Sequence, residues 1–315
     1  MNKIIKAPAK INLCLSVNGK RNDGYHNLMM IMQPISLYDT IELNIIREKD
    51  FDKIEKLYNK KNNYKSYFNY YHNTTNQIVL KSNYSFIPTD DNNLIVKITK
   101  YFFEKYNIKD KIFIYLKKLI PTCGGLGGGS SDAASMLLFL NNFYGTKLSI
   151  QELNDISIKF GSDIPFFLYK KECICEGRGE IITELNSFKD YYVLIATPDI
   201  RVSTKDIFDK IDSVNLDNHM NTQSFENCVD AIENKNLNKL CSNIFNDLES
   251  VTISMYNDIS ILKEILLNNG ALSTLMSGSG PTVFGIFDSY FKAKNCKKSI
   301  KNQINGAFIF ITKPI

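Results

Sequence analysis

The sequence predicts an α+β fold in two lobes that divide near residue 170. Three observations support this prediction. Strand-like and helix-like stretches mix along the 315 residues without the strict strand–helix alternation of a parallel sheet. A glycine-rich segment, PTCGGLGGGSSD at residues 121–132, stands between an apolar strand pattern and an apolar helix pattern. A shorter glycine-rich turn, SGSG at residues 277–280, lies between two strand patterns near the C-terminus.

Apolar periodicity predicts the elements of the first lobe. Strand patterns occupy residues 10–17, 39–46 and 111–120, and residues 18–28 are predicted to form the loop between the first two. A helix is predicted over residues 93–107. Two more helices follow the glycine-rich segment, and the second of these begins with Ser149 and Glu152, a capping-box pair. Residues 50–76, rich in Asn, Lys and Tyr, predict a solvated surface insertion.

The second lobe alternates the two patterns less regularly. Strands are predicted within residues 173–185, 191–198, 272–287 and 307–314. Helices are predicted over residues 203–211, with Ser203 or Thr204 as the cap, within residues 225–269, and over residues 290–304. Residues 212–224 are predicted to be a loop. The predicted domains are therefore residues 1–170 and 171–315.

Charge and cysteine usage limit the function classes. The net charge is 38 − 33 = +5 and is spread over Lys-rich segments. This density of positive charge is lower than a nucleic-acid-binding surface usually has, but it suits the binding of an anionic small molecule. The seven cysteines are scattered, and the C-x-C pair at residues 173–175 has no neighbouring His for a zinc site. This pattern is typical of reduced thiols in an intracellular protein.

Targeting and membrane signals are weak in the sequence. No apolar run reaches the roughly 20 residues that a membrane span needs. The N-terminus begins in a strand pattern, without a basic-then-apolar leader. We therefore expect a cytoplasmic protein with no membrane or nucleic-acid partner. An organelle interior is the alternative if a transit peptide precedes the sequence.

The glycine-rich segment before a helix predicts a phosphate cradle. A helix N-terminus leaves N–H groups unpaired, and glycines let the main chain close around an anion. Two other phosphate-binding motifs match this segment less well. Ser130 stands where a Walker motif needs Lys and where the dinucleotide-binding motif needs its third Gly. The H-R-D and D-F-G signatures of protein kinases are missing. A flexible linker is the alternative, although a linker would not run directly into an apolar helix.

The arrangement P-x-x-x-G-L-G-G-G-S-S-D-A-A resembles the ATP-binding loop of the GHMP kinases, small-molecule kinases that include galactokinase, homoserine kinase and mevalonate kinase. APAKINLCLSV and LMSGSGPTVFGIF resemble the first and third motifs of that family, in the expected order. The resemblance implies a two-lobed GHMP kinase fold with the active site in the cleft, and ATP and Mg²⁺ as cofactors. The implied ATP-binding residues are Pro121, Gly124, Gly125, Leu126, Gly127, Gly128, Gly129, Ser130, Ser131 and Asn93, of which Ser131 is also a candidate metal ligand.

The same resemblance implies the catalytic residues. It places the catalytic aspartate of the family on Asp163, in FGSDIPFF, and the lysine that holds this carboxylate ionised on Lys10, in PAKIN. A cation within about 4–6 Å favours the carboxylate form, so the pair is chemically consistent. Without the resemblance, Asp163 would equally be a turn residue and Lys10 an exposed strand lysine.

The motifs PAKINL, RNDGYHNL, GSDIPFFL and GRGE together resemble one branch of the family, which acts in non-mevalonate isoprenoid biosynthesis. This branch phosphorylates the 2-hydroxyl of an alcohol linked to cytidine diphosphate. In GYH, an aromatic ring can stack on a base and an imidazole can reach its polar edge. The implied substrate-binding residues are Asn12, Tyr25, His26, Thr204, Phe208, Gly278, Ser279 and Gly280.

Three alternatives remain open at this point. A kinase of the homoserine or mevalonate type would bind a small carboxylate and would not need Tyr25 and Phe208 around a base. An RNA-binding protein is favoured only by the mild positive charge and the Tyr-rich insertion. A catalytically inactive regulator with the kinase fold is disfavoured by the intact Lys10 and Asp163. The sequence predicts neither the oligomeric state nor the magnesium ligands.

Overall fold

A computed structural model of the protein describes residues 2–51, 77–212 and 221–315. The predicted surface insertion at residues 50–76 therefore lies outside the described residues, except for its first two positions. The first of these, Asp50, ends a short 3₁₀ turn at Glu48–Asp50, and Phe51 follows it. Most of the predicted loop at residues 212–224 also lies outside them, and the prediction is wrong for residues 222–224, which begin a helix.

Strands and helices account for most of the described chain. The strands are β1 (Asn2–Lys20), β2 (His26–Ile46), β3 (Ile78–Ser82), β4 (Lys111–Lys117), β5 (Cys173–Gly177), β6 (Ile181–Glu184), β7 (Tyr192–Thr197), β8 (Phe245–Asn246), β9 (Ser273–Met276), β10 (Val283–Phe287) and β11 (Phe308–Thr312). The helices are α1 (Leu94–Lys105), α2 (Gly128–Tyr144), α3 (Ile150–Ser157), α4 (Ile164–Tyr169), α5 (Thr204–Ile211), α6 (Thr222–Glu233), α7 (Leu237–Cys241), α8 (Leu248–Met255), α9 (Asp258–Asn268) and α10 (Tyr290–Gln303).

Two sheets organise the molecule. The first has the strand order β3-β4-β2-β1-β8, and β5 and β6 extend it from β2. The second has the order β11-β7-β10-β9 and is antiparallel throughout. The C-terminal residues return to the first sheet, where the backbone N–H of Ser36 donates to the carbonyl of Lys313 at 2.8 Å. The predicted α+β class is confirmed.

The predicted division at residue 170 stays a prediction. Strand pairing carries the first sheet beyond that residue, because β5 pairs with β2 and β6 pairs with β5 as far as Glu184. The two-residue strand β8 also pairs with β1 from within the region predicted to be helical.

The hairpin of β1 and β2 corrects the prediction of a loop over residues 18–28. Both strands run further than the apolar alternation indicates, and the turn is reduced to residues 21–25. The reason is that Lys20 pairs with His26 across the strands, and the N–H of Arg21 donates to the carbonyl of Tyr25 at 2.7 Å. Backbone pairing therefore continues through polar residues that carry no strand signal.

Helix boundaries follow their predicted capping residues closely. Ser149 and Glu152 form the predicted capping box at the start of α3, with both reciprocal hydrogen bonds present. Ser203, one of the two predicted caps, accepts from the N–H of Asp206 at the start of α5. Within the described ranges, no helix combines the length and hydropathy needed to cross a membrane.

Candidate active site

The glycine-rich loop joins β4 to α2 and depends on backbone conformations that side chains rarely adopt. Gly125 and Gly127 have φ of +72° and +68°, and Gly127 is the N-cap of α2. A Cβ on Gly125 would lie 2.0 Å from the carbonyl oxygen of Ser277, and one on Gly127 would lie 2.7 Å from the ring of Phe167. These positions require glycine because of both conformation and space.

A cavity of about 370 Å³ opens along this loop. Its walls include residues 121–130, Asp132 and the segment that leads into α1. Asn93, implied by the family resemblance to line the adenine pocket, borders the cavity as the N-cap of α1. Its side chain is already engaged, because Oδ1 accepts from the N–H of Ile95 and Nδ2 donates to the carbonyl of Pro88, both at 2.9 Å. Asn93 therefore shapes the wall, since both of its polar atoms are used in the protein.

The three sequence motifs meet at this loop. The N–H of Lys10 donates to the carbonyl of Leu126 at 3.0 Å, and the hydroxyl of Ser277 donates to the carbonyl of Gly125, also at 3.0 Å. Gly278 packs between the backbone of Gly125 and the side chain of Asn12. Residues that are more than 100 positions apart in sequence thus form one continuous surface.

Lys10 and Asn12 project from the same face of β1, where irregularities in strand pairing flank them at Pro8/Ala9 and Asn12/Cys14. Lys10 is 3% exposed, against the default of an exposed strand lysine, and its Nζ donates to Asn12 Oδ1 at 2.5 Å. Burial lowers the pKa of Lys10, and the negative charge of Asp163 opposes that shift. The structure therefore brings Lys10 into electrostatic contact with Asp163.

Asp163 stands at the N-cap position of α4, but its side chain makes no capping hydrogen bond. Within the described residues it forms neither a hydrogen bond nor an ion pair, and it is partly exposed. The short helix α4 packs against α2, which begins at the glycine-rich loop. The carboxylate is thus held near Lys10 with both oxygens available.

A buried charge cluster beneath the loop was missed by the sequence analysis. Lys118 Nζ forms ion pairs with Asp39 and, at 2.8 Å, with Asp132, and these side chains are 5%, 0% and 3% exposed. Burial, together with the charge of Asp39, raises the pKa of Asp132 to about 7, while Lys118 opposes the shift. The sequence signal was slight, because Lys118 follows another lysine and Asp132 lies inside the glycine-rich motif.

Two polar atoms near the start of α2 have no hydrogen-bond partner among the described residues: Ser131 Oγ and Asp132 Oδ1. Both are oxygen donors of the kind that Mg²⁺ prefers. In the ranges 2–51, 77–212 and 221–315, no group of three or more His, Cys, Asp or Glu residues could hold a metal ion. Ser131 and Asp132 could each offer one oxygen to a metal ion.

The predicted substrate residues gather around the β1–β2 turn and α5. His26 stacks on Phe208 with ring centroids 5.0 Å apart, and its Nε2 lies 2.6 Å from Asp212 Oδ1. The guanidinium of Arg178 lies 4.6 Å from the exposed Tyr25 ring. The predicted enclosure of a base between Tyr25 and Phe208 stays a prediction, and Asp212 was missed because nothing in its local sequence links it to residue 26.

Residues of the third motif lie beside α5, in the same region as the predicted substrate residues. The hydroxyls of Thr204 and Ser279 are hydrogen bonded at 2.8 Å, which links α5 to the turn before β10. Asn246 Nδ2 donates to the carbonyls of Met276 and Gly278, both at 2.8 Å, and thereby shapes this turn. Asn246 was not anticipated, because Asn is frequent throughout the chain.

Replacing Gly125 by Ala should destabilise the protein by several kcal/mol, about 2–4, because the new Cβ would overlap the backbone at Ser277 and φ would be strained. Denaturant unfolding measures this loss. Gly129→Ala is the matched control, because no atom lies within 4 Å of its added Cβ. Equal unfolding midpoints for the two variants would show that the loop does not pack against the third motif.

Fold and site together define a class of protein: a glycine-rich loop bordering a cavity ahead of a helix, with a buried lysine and an available carboxylate beside it, in a two-sheet α+β fold. Residues 93–171 match the description "GHMP kinases N terminal domain" and residues 228–306 match "GHMP kinases C terminal". The chain belongs to the GHMP kinase family, whose members are ATP-dependent kinases of small molecules.

Individual relatives refine this assignment. The chain is 39% identical to the 4-diphosphocytidyl-2-C-methyl-D-erythritol kinase of Clostridium tetani (strain Massachusetts / E88), over 97% of this chain and 98% of that protein. A crystal structure of 4-(cytidine 5'-diphospho)-2C-methyl-D-erythritol kinase matches the whole chain over its full length, with a TM-score of 0.74 at 24% identity. Homoserine kinase from Cytophaga hutchinsonii gives the same TM-score at 17% identity, covering 99% of this chain and 95% of that one. The shared fold therefore does not select the substrate.

Proposed function

We propose that this enzyme transfers the terminal phosphoryl group of ATP to the 2-hydroxyl of 4-diphosphocytidyl-2-C-methyl-D-erythritol, in non-mevalonate isoprenoid biosynthesis. The observation that carries the proposal is the meeting of the three motifs at one loop, with Lys10 and Asp163 beside it. Identity of 39% to a kinase named for this substrate, over nearly the whole chain, supports the choice of acceptor. We further propose that the enzyme works in the cytoplasm.

In the proposed mechanism, positioning and charge neutralisation do most of the work. Backbone N–H groups of residues 124–129 and the N-terminus of α2 hold the phosphates. Asp163 accepts the proton of the attacking hydroxyl, while the oxygen bonds to the terminal phosphorus and the bond to ADP breaks. Lys10, oriented by Asn12, stabilises the negative charge that develops on the reacting groups in the transition state.

Mg²⁺ is proposed to accompany the nucleotide. The hydroxyl of Ser131, which has no partner among the described residues, is the proposed protein ligand. When bound, the ion would neutralise charge on the phosphate oxygens. The protein contributes few ligands in this proposal, in keeping with the tendency of Mg²⁺ to retain waters.

An ADP-release assay tests the proposed function. The cytidine-diphosphate alcohol should be turned over, whereas mevalonate and homoserine should give little ADP above background. The homoserine comparison matters because the homoserine kinase fold fits this chain equally well. If mevalonate or homoserine were phosphorylated and the cytidine substrate were ignored, the proposed acceptor would be wrong.

Replacing Phe208 by Ala should mainly raise KM for the cytidine substrate, by about tenfold, because a stacked aromatic ring contributes about 0.5–1.5 kcal/mol beyond its buried area. The value of kcat should change little, since stacking is similar in the ground and transition states. Steady-state kinetics at saturating ATP measure both constants. Phe291→Ala, an exposed ring on α10, is the control, and an unchanged KM in Phe208→Ala would place the base elsewhere.

A further inference from the structure

We propose that Asp212 is a specificity-determining positioning residue, which orients His26 so that its Nδ1 presents a hydrogen-bond acceptor to the exocyclic amino group of a cytosine base. This inference rests on the proposed function for the identity of the base. Neither the family motifs nor the local sequence assigns a role to Asp212, which follows the last residue of α5.

The contact is specified by elements that are distant in the chain. Phe208 and Asp212 are four residues apart, so they share one face at the end of α5. That face meets His26 at the start of β2, because the imidazole stacks on Phe208 and its Nε2 lies 2.6 Å from Asp212 Oδ1. The imidazole is 7% exposed, so its orientation is determined by these two contacts.

The carboxylate determines which nitrogen of His26 carries the proton. Hydrogen bonds from Lys20 and His26 lower the pKa of Asp212, so the group is an ionised acceptor and cannot donate. Nε2 must therefore carry a hydrogen. In a neutral imidazole the other nitrogen, Nδ1, is then an acceptor. Within the described part of the chain, Nδ1 has no hydrogen-bond partner.

Lys20 keeps this arrangement electrically balanced. It is the cross-strand partner of His26, and its Nζ lies 2.5 Å from Asp212 Oδ2, so each carboxylate oxygen serves one of the two side chains. The lysine already neutralises the carboxylate. A neutral imidazole therefore leaves the group of three without net charge, whereas an imidazolium would leave it positive.

An acceptor at Nδ1 distinguishes the two common pyrimidines. Cytosine carries an amino donor at the position where uracil carries a carbonyl acceptor. The donor can pair with Nδ1, whereas the carbonyl would face it acceptor to acceptor and leave both groups unpaired. Such a mismatch in a largely desolvated site is expected to reduce binding about tenfold or more.

The first measurement reads the imidazole directly. In ¹⁵N-labelled free enzyme, the His26 resonances should show a protonated Nε2 and an unprotonated Nδ1, and they are assigned by their loss in His26→Gln. Asp212→Ala should change this pattern to a mixture of tautomers. A protonated Nδ1 in the wild-type enzyme, or a pattern unchanged in Asp212→Ala, would overturn the inference.

The second measurement compares kcat/KM for the cytidine-diphosphate alcohol and its uridine counterpart. The wild-type enzyme should prefer the cytidine compound, and Asp212→Ala should shrink this preference about tenfold, through KM rather than kcat. Asp212→Glu, which keeps the carboxylate, should restore part of it. Asp230→Ala is the matched control, because it removes another carboxylate paired with a lysine, at 2.6 Å, away from the site.

The two proposals fail differently. If the wild-type enzyme does not phosphorylate the cytidine compound, the proposed function fails, and the inference about base selection fails with it. If the cytidine compound is phosphorylated but Asp212→Ala retains the full preference over uridine, only the role of Asp212 is refuted. A merely structural role of Asp212 would lower turnover of both compounds equally, and that result would also refute it.

Discussion

Replacing Asp163 by Asn is expected to lower kcat by about 10²–10⁴-fold, the usual contribution of a positioned general base. Asn keeps the size of the side chain but cannot accept the proton of the hydroxyl. The nucleotide affinity should remain nearly unchanged, because the glycine-rich loop is held by hydrogen bonds from Lys10 and Ser277, and Asp163 takes no part in them. Steady-state kinetics and direct titration with an ATP analogue measure these two quantities.

Asp155→Asn is the control for this prediction. Asp155 is an exposed carboxylate on α3, where it accepts a hydrogen bond from Gln151 at 3.0 Å. Its replacement should leave kcat unchanged. In Asp163→Asn, the pKa of Lys10 should also fall further, because Asp163 supplies the leading charge that opposes the effect of burial. A nearly normal kcat in Asp163→Asn would remove Asp163 from the role of base.

Replacing Lys118 by Met is expected to destabilise the protein by about 3–5 kcal/mol, the usual cost of leaving a buried charge without its partner. The two carboxylates of Asp39 and Asp132 would then face each other without a cation. Asp39 also accepts from the N–H groups of Leu119 and Ile120, so the damage should extend into the loop before α2. Denaturant unfolding measures the loss.

Lys117→Met provides a control one residue away. Lys117 is 51% exposed and pairs with Glu42, and surface pairs of this kind contribute about 1 kcal/mol or less. The double variant Lys118→Met/Asp132→Asn should recover part of the stability lost in Lys118→Met. Equal losses in Lys117→Met and Lys118→Met would show that the cluster is not buried as described.

The Lys118→Met defect should depend on pH. The pKa of Asp132 is raised to about 7, so the native state binds more protons than the unfolded chain between about pH 4 and pH 7, and the free energy of unfolding falls as pH rises through that window. Without Lys118 the pKa of Asp132 should rise further, so the free energy of unfolding should continue to fall above pH 7. The variant should therefore lose more stability relative to the wild type at pH 8 than at pH 6.

Local signals predicted much of this protein. Apolar periodicity located most strands and helices, and capping residues located the starts of α3 and α5. Glycines ahead of an apolar helix predicted the loop at Gly125 and Gly127, because a left-handed conformation without a Cβ is a property of the residue itself. Ordered motifs also predicted Lys10 and Asp163 as catalytic residues through the family resemblance, and the structure brings the two side chains close together.

The prediction of a loop over residues 18–28, between β1 and β2, was wrong because local patterns do not register strand pairing. Strand pairing between Lys20 and His26 depends on the partner strand and on the turn between them, and polar residues carry no periodic signal of it. The boundary of the hairpin was thus set by backbone hydrogen bonds rather than by side-chain hydrophobicity.

The sequence by itself determined the kinase family, most of the elements and the position of the glycine-rich loop, since each of these depends on neighbouring residues or on motifs of fixed order. Only the tertiary structure decided which charged groups are buried and with what partners. Lys117 and Lys118 are identical neighbours, yet one faces solvent and the other lies between two buried carboxylates. His26 likewise meets Asp212 across 186 positions of chain. Burial and pairing depend on how distant elements pack, and that information is absent from any short stretch of sequence.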